Sequence, residues 1–235
     1  MLTKHNFDYI YIEMNIPAST FNFLNTLKEN NNREWFNDNR AVYEKERENF
    51  IEFAQHILTG LSKLDKRISA DLPISKCVFR IYRDIRFSKD KTPYKDYFSA
   101  GFSNTGKSTN LPGYYVHIQR GKSFATAGLW HPEKEKLAAI RQEIDYNSEQ
   151  FRKILNDGKF KKHLSLDQDD KLKKAPSGYS VDHPDIEFLR LKSFTASQFY
   201  DDQVLLNKNA GDIILETFSA SQDFQEFLYE AIEEH

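Results

Sequence analysis

Residues 97–130 read YFSAGFSNTGKSTNLPGYYVHIQRGKSFATAGLW, and their period sets the fold. Phe98, Ala100 and Phe102 fall on one side of a two-residue alternation. After the polar loop at residues 104–112, Tyr114, Val116 and Ile118 oppose Tyr115, His117 and Gln119. Successive strand side chains point to opposite faces, so this pattern predicts strands with one buried face. Arg120-Gly121-Lys122 has hairpin character and leads into a strand from Ser123 to Trp130, rich in Ala125, Ala127 and Gly128. Upstream, Phe79, Ile81, Ile85 and Phe87 alternate with Arg80, Tyr82, Asp84 and Arg86. Parallel neighbours need crossover helices, so four strands with short connections predict an antiparallel meander. The expected class is α+β: an antiparallel sheet of at least four strands over about residues 78–130, packed with N-terminal and C-terminal helices.

Outward from the sheet the period becomes helical. Residues 1–15 alternate weakly through Phe7, Tyr9 and Tyr11 and read as a short strand or an arm. Ser19 or Thr20 caps a helix carrying Phe21, Leu24 and Leu27, which stops at Asn30–Asn32. A long helix is expected over Glu34–Leu64, with an apolar stripe that includes Phe50, Phe53, Ile57 and Leu61. His131-Pro132-Glu133 starts another helix, and Asn147 or Ser148 caps a third that Gly158 ends. Asp182-His183-Pro184 caps a short helical turn, and Leu189–Phe199 reads as extended and returning to the sheet. Two helices follow, near Asp201–Phe218 and Ser221–Glu234. No repeat or linker interrupts residues 1–235, which are expected to form one domain.

Composition narrows the function classes. A chain of 235 residues is long enough to bury a core without staples. Nineteen Phe and twelve Tyr exclude disorder. Thirty-three Lys+Arg against 35 Asp+Glu give a net charge of −2, which argues against a general nucleic-acid coat protein but leaves room for a local basic patch. Cys77 stands alone, so no intrachain disulfide forms; it reads as a plain buried thiol in a reducing compartment. The opening residues lack the features of a signal peptide, and no apolar run approaches the ~20 residues of a membrane span. The expectation is a cytoplasmic protein with no membrane partner. Seven scattered His and no Cys pair give no metal site. No phosphate-binding glycine loop, dinucleotide fingerprint or nucleophile elbow is present, and the sequence implies no particular cofactor. The oligomeric state is left open.

The richest chemistry lies in residues 79–98, FRIYRDIRFSKDKTPYKDYF. On a strand, Arg80, Asp84 and Arg86 share one polar face, where side chains two apart stand ~6.6 Å from each other. Arg supplies a planar fork matched to phosphate or carboxylate. Arg83 falls among apolar neighbours, so a carboxylate partner, a bulge or a cavity is required. Pro93 turns the chain so that Lys91, Tyr94 and Lys95 fold back toward the Arg face. Tyr115 and His117 share that face if the strands pair in register. Small residues Ser99, Gly101, Ala125 and Gly128 leave room over the sheet, for a ligand or equally for a helix.

Arg80-x-x-Arg83-Asp84-x-Arg86-Phe87-x-x-Asp90-Lys91-x-x-Tyr94 resembles the signature of a mainly bacterial domain-of-unknown-function family. Gly113–Ile118, Gly128-Leu129-Trp130-x-Pro132, Gly178-Tyr179 with Asp182-His183-Pro184, and Leu189–Phe194 resemble its later blocks. The resemblance implies that the Arg, Asp, Lys and Tyr residues act together as a ligand site. It implies no particular reaction, and whether the protein is an enzyme stays open. The first expectation is therefore an anionic small molecule, phosphorylated or carboxylate, bound by Arg80, Arg83, Asp84, Arg86, Asp90, Lys91, Tyr94, Tyr115 and His117. For an enzyme, Asp84, Asp90 and Tyr94 are the proton-transfer candidates. Two alternatives stand beside it. One is nucleic-acid binding through the same basic cluster and Lys159–Lys174, with Tyr82 and Tyr115 stacking on bases. The other is an interaction module whose charges form only a salt-bridge network.

Overall fold

The structure is a computed structural model that describes residues 14–107 and 110–233; the alternation at Phe7–Tyr11 lies outside the described residues. Helix α1 (Ala18–Glu29) begins directly after Pro17, whose fixed φ suits a helix entry. Ser19 and Thr20 are not its caps. Their hydroxyls donate instead to the buried Glu46 carboxylate at 3.1 and 2.7 Å, tying α1 to the next long helix. The single helix expected over 34–64 is two, α2 (Arg33–Asp38) and α3 (Arg40–Leu64). Asn39 separates them, with both its backbone N–H, at 3.0 Å, and its side-chain amide, at 2.9 Å, donating to the Trp35 carbonyl.

The strand expected over Phe79–Phe87 is absent. Residues 77–79 lie along the sheet edge, where Phe79 N–H donates to Ser99 O at 2.9 Å and Gly101 N–H to Cys77 O at 3.0 Å. The chain then leaves as a loop that closes on itself: Arg83 N–H donates to Pro93 O, and Lys95 N–H to Ile81 O. Local side-chain bonds replace a ladder at its tip. Asp84 accepts from Arg86 N–H, Asp90 accepts from Thr92 N–H, and Lys91 Nζ donates to Ile85 O. Ile81 is buried, whereas Phe87 is 96% exposed, so the apolar alternation there does not mark one buried face.

Strands β1 (Phe98–Phe102), β2 (Gly113–Ile118) and β3 (Ser123–Leu129) form the expected meander. Helices α4 (Lys134–Tyr146), α5 (Ser148–Asn156) and α6 (Gly158–His163) follow. Gly158 opens α6 and does not merely end α5, because Asp157 caps it by accepting from Lys159 and Phe160 N–H. Then come β4 (Ser165–Leu166), α7 (Ile186–Leu189) and β5 (Phe194–Tyr200), which is the expected return to the sheet. The helix expected over 201–218 is divided into α8 (Asp202–Leu205) and α9 (Ala210–Ala220), and α10 (Gln222–Glu233) follows. The sheet order is β1-β2-β3-β5-β4, antiparallel throughout. The fold is α+β.

The two sheet faces differ sharply. Phe98, Ala100, Phe102, Tyr114, Val116, Ile118, Ala125, Ala127 and Leu129 are buried on one. Helix α3 packs there on β1, and α9 and α10 pack on β3. Ala125 is therefore core, while Ser99, Gly101 and Gly128 stand on the opposite face. Cys77 is buried, and burial pushes its thiol up to about 11, as expected of an inert core thiol. No described helix is long and apolar enough to cross a membrane.

Candidate functional site

The face without the core helices carries a cleft of about 660 Å³, within the ~300–1,000 Å³ range of small-molecule sites. Strand register builds its floor. Gly101, Tyr115, Thr126 and Ser197 lie in one line across four strands, and Gly113, Gly128 and Thr195 form the line beside it. Aromatic rings form a wall: His117 stacks on Phe124 at 4.8 Å, and Phe124 meets Phe199 at 5.5 Å. Two glycines are closely approached, and the second is required. A Cβ on Gly101 would come within 3.2 Å of the Lys107 backbone and 3.5 Å of the Phe79 ring, which both cross over it. Gly128 has φ +128°, and a Cβ there would strike Phe194 O at 2.1 Å.

The β1 end is basic. Lys95 Nζ lies 5.3 Å from the centre of the Phe79 ring, and Lys107 Nζ approaches the same ring at 5.6 Å. Burial first, then the charges of Arg80 and Lys107, lower the Lys95 pKa. Lys107 Nζ donates to Val78 O at 2.9 Å, a backbone carbonyl. Among the described residues, no carboxylate forms an ion pair with Arg80, Lys95 or Lys107.

The β4–β5 end is acidic, lined by Asp167, Asp169 and Asp170. Asp170 is matched by Lys192 at 2.6 Å and His131 at 3.0 Å. His131 adopts φ +43° beside Trp130, a strained backbone at the mouth of the cleft. Among the described residues, no cation forms an ion pair with Asp167. Its Oδ2 accepts from Thr195 Oγ1 at 2.6 Å and Ser197 Oγ at 2.9 Å, and burial pushes its carboxyl up. Between the ends, Tyr115 Oη lies 3.2 Å from His117 Nδ1, and His117 Nε2 lies 3.2 Å from Gln119 Oε1. Gln119 Nε2 in turn donates to Asp96 at 2.8 Å.

Of the residues singled out by sequence, Tyr115 lines the cleft and His117 stands beside it on the same face; Arg80 lies outside the lining, where its charge acts on both Lys95 and Asp84. The others form the loop at 81–95. Arg83 bonds Asp90 and Thr92, and Asp84 takes the Arg86 fork. Arg83 therefore has the carboxylate partner its apolar neighbours demanded, although its side chain keeps 29% exposure. Bonding to Arg86 holds the Asp84 carboxyl at about 2; the Thr92 N–H, then Arg83, holds Asp90 at about 2. Carboxylates that weakly basic are poorly matched to proton transfer near neutrality. Tyr94 is buried, stacked on Phe36 at 3.9 Å, with its backbone held by Asn31. Lys107, Asp167, Thr195 and Ser197 escaped the sequence reading. No local period marks them, because strand pairing between distant segments brings them together. Among the described residues, no group of three or more His, Cys, Asp and Glu is placed to hold a metal ion.

An antiparallel sheet with core helices on one face and a charged, aromatic-walled cleft on the other defines an α+β protein. The chain belongs to the family described as conserved hypothetical protein (DUF2461), which matches residues 19–227. No curated protein matches it, and no solved structure does.

Proposed function

We propose that the protein binds a phosphorylated or carboxylate small molecule in the cleft over its sheet, with the anionic group held at the β1 end. The observation that carries this reading is the pair Lys95 and Lys107 at the Phe79 ring, with Arg80 close enough to act on Lys95 and no ion pair to either lysine among the described residues. Burial and the charges of Arg80 and Lys107 disfavour the charged form of Lys95, and a bound anion would offset both. Phe79, Tyr97, Tyr115 and Phe124 supply apolar contact for the body of the ligand. The remaining Arg, Asp and Lys residues of the loop frame it and hold Arg80 and Lys95 in place. A reducing, cytoplasmic setting belongs to the same reading, supported by the lone buried thiol of Cys77.

The test is a thermal-shift and calorimetric panel of phosphorylated, carboxylated and neutral analogues of the same metabolites. Anionic members should raise Tm and neutral ones should not, and Lys95→Met with Lys107→Met should abolish the response. Each phosphate neutralised on duplex DNA adds ~0.9 to the log–log salt slope, so one anion in a compact site gives a shallow dependence. Tight duplex binding with a steep slope, lost in Arg80→Ala with Arg86→Ala, would replace this reading with nucleic-acid recognition.

A further inference from the structure

The two ends of the cleft carry opposite, unmatched charge, and the register gives their separation. The basic end sits over β1, and Asp167 continues the line of β4, four strand spacings away or ~19 Å between backbones, with its carboxylate leaning back over β5. Side chains reaching inward shorten the gap that a ligand must span. Asp169 and Asp170 follow Asp167, but Lys192 already pairs with Asp170 at 2.6 Å, with His131 Nε2 3.0 Å from its other oxygen. Among the described residues, Asp167 receives side-chain hydrogen bonds on one oxygen only. Thr195 and Ser197 both donate to Oδ2, and no described residue donates a side-chain bond to Oδ1. Its two hydroxyl donors and its backbone N–H bond to Thr195 O fix the carboxylate against the β5 edge. A fixed carboxylate with a spare oxygen, in a cleft whose other end is cationic, has the form of a receptor for a positively charged donor.

We propose that Asp167 binds an amino group on the ligand, so that the substrate class is an extended zwitterion: an anionic head at Lys107, Lys95 and Arg80, an apolar body along Tyr115, and an ammonium at Asp167 Oδ1. The inference rests on the anion-binding reading above and adds the second end. Burial and the neighbouring Asp169 both push the Asp167 carboxyl up, as expected for an acid waiting for a cation. An ammonium donates to Oδ1 without displacing either hydroxyl, because a carboxylate offers about four acceptor positions. The same two-ended arrangement disfavours a dicarboxylate, whose far end meets Asp167 and Asp169.

Calorimetry on the intact chain with octanoate, ω-aminooctanoate and octanedioate separates the two ends, and the decanoate set repeats the comparison at greater length. Wild type should bind the ω-amino acid about tenfold more tightly than the monocarboxylate, the equivalent of one favourable charged contact, and the dicarboxylate more weakly. Asp167→Asn keeps an acceptor for Thr195 and Ser197 and should lower the ω-amino acid to the monocarboxylate's affinity while leaving the monocarboxylate unchanged. Equal binding of the amino and unsubstituted acids by wild type at both lengths would overturn the inference and leave the anion site standing. No binding of any member would bring down both.

Discussion

The Tyr115 hydroxyl donates its proton to His117 Nδ1, and Asp96 fixes that direction from two links away. A carboxylate only accepts, so Gln119 must turn its amide nitrogen toward Asp96 and its Oε1 toward His117. His117 Nε2 then carries a hydrogen. Burial lowers the His117 pKa, so the ring is neutral and Nδ1 is left to accept from Tyr115. Burial also pushes Tyr115 up to about 12, so its hydroxyl stays protonated. The Tyr115 proton is consequently committed to the histidine, and Ser99 bonds the same oxygen.

The chain predicts the imidazole's tautomer and titration. Nitrogen NMR should show His117 protonated at Nε2 at neutral pH and titrating below the ordinary value of ~6.5. With the folded pKa depressed, the unfolded state binds more protons in the window below ~6.5, so His117 withdraws stability as pH falls through that window. His117→Phe keeps the contacts with Tyr97 and Phe124 and should remove this part of the acid sensitivity. A ring protonated at Nδ1, or one titrating above the ordinary value, would break the chain of donors argued here.

Lys95→Met should trade function for stability. The substitution keeps an apolar stem against Phe79 and Tyr97 and relieves repulsion from Arg80 and Lys107. It also gives up a cation–π contact of ~0.5–1 kcal/mol, so the net gain in stability should stay below ~1 kcal/mol. Affinity for a carboxylate probe should fall about tenfold. Denaturant titration read beside calorimetry checks both signs. Lower stability with unchanged affinity would mean that Lys95 is merely structural.

Gly128→Ala should be among the costliest substitutions in the sheet. The new Cβ faces a carbonyl oxygen at 2.1 Å in a φ of +128°, and the β3–β5 pairing would have to open. A loss above ~3 kcal/mol is expected from strain and clash together. Gly121→Ala is the control: φ is +67° but nothing lies within 4 Å, so only the left-handed penalty of ~1–2 kcal/mol applies. Equal urea midpoints for the two variants would contradict the clash.

β2 and β3 were legible because their two faces meet different surroundings: Val116 and Ile118 pack under helices while Tyr115 and Thr126 face the cleft. The same rule misread residues 79–87. Asp84, Asp90 and Lys91 satisfy the backbone locally there, and alternation in a self-bonded loop carries no burial information. Of the small residues read as room over the sheet, Gly101 and Gly128 line the cleft but are closely approached by Phe79, Lys107 and Phe194, Ser99 is buried, and Ala125 points the other way. Asp167 was out of reach because β4 is two residues long and finds its place only by pairing with β5, about thirty residues further on.

The loop at 81–95 should prove to be a frame distinct from the cleft. Arg83 bonds Asp90 and Thr92 with 29% of its side chain exposed and Asp90 at 55%, so solvent screening limits the pair. Arg83→Met should therefore cost only ~1 kcal/mol. Hydrogen exchange should rise across residues 84–92, where Asp84, Asp90 and Lys91 brace the tip. Affinity for a carboxylate probe should stay within about twofold, a few tenths of a kcal/mol. Asp90→Asn should reproduce the exchange pattern, and the double variant should add little, since both remove one interaction. Collapse of anion binding in Arg83→Met with exchange unchanged would move the site from the sheet to the loop.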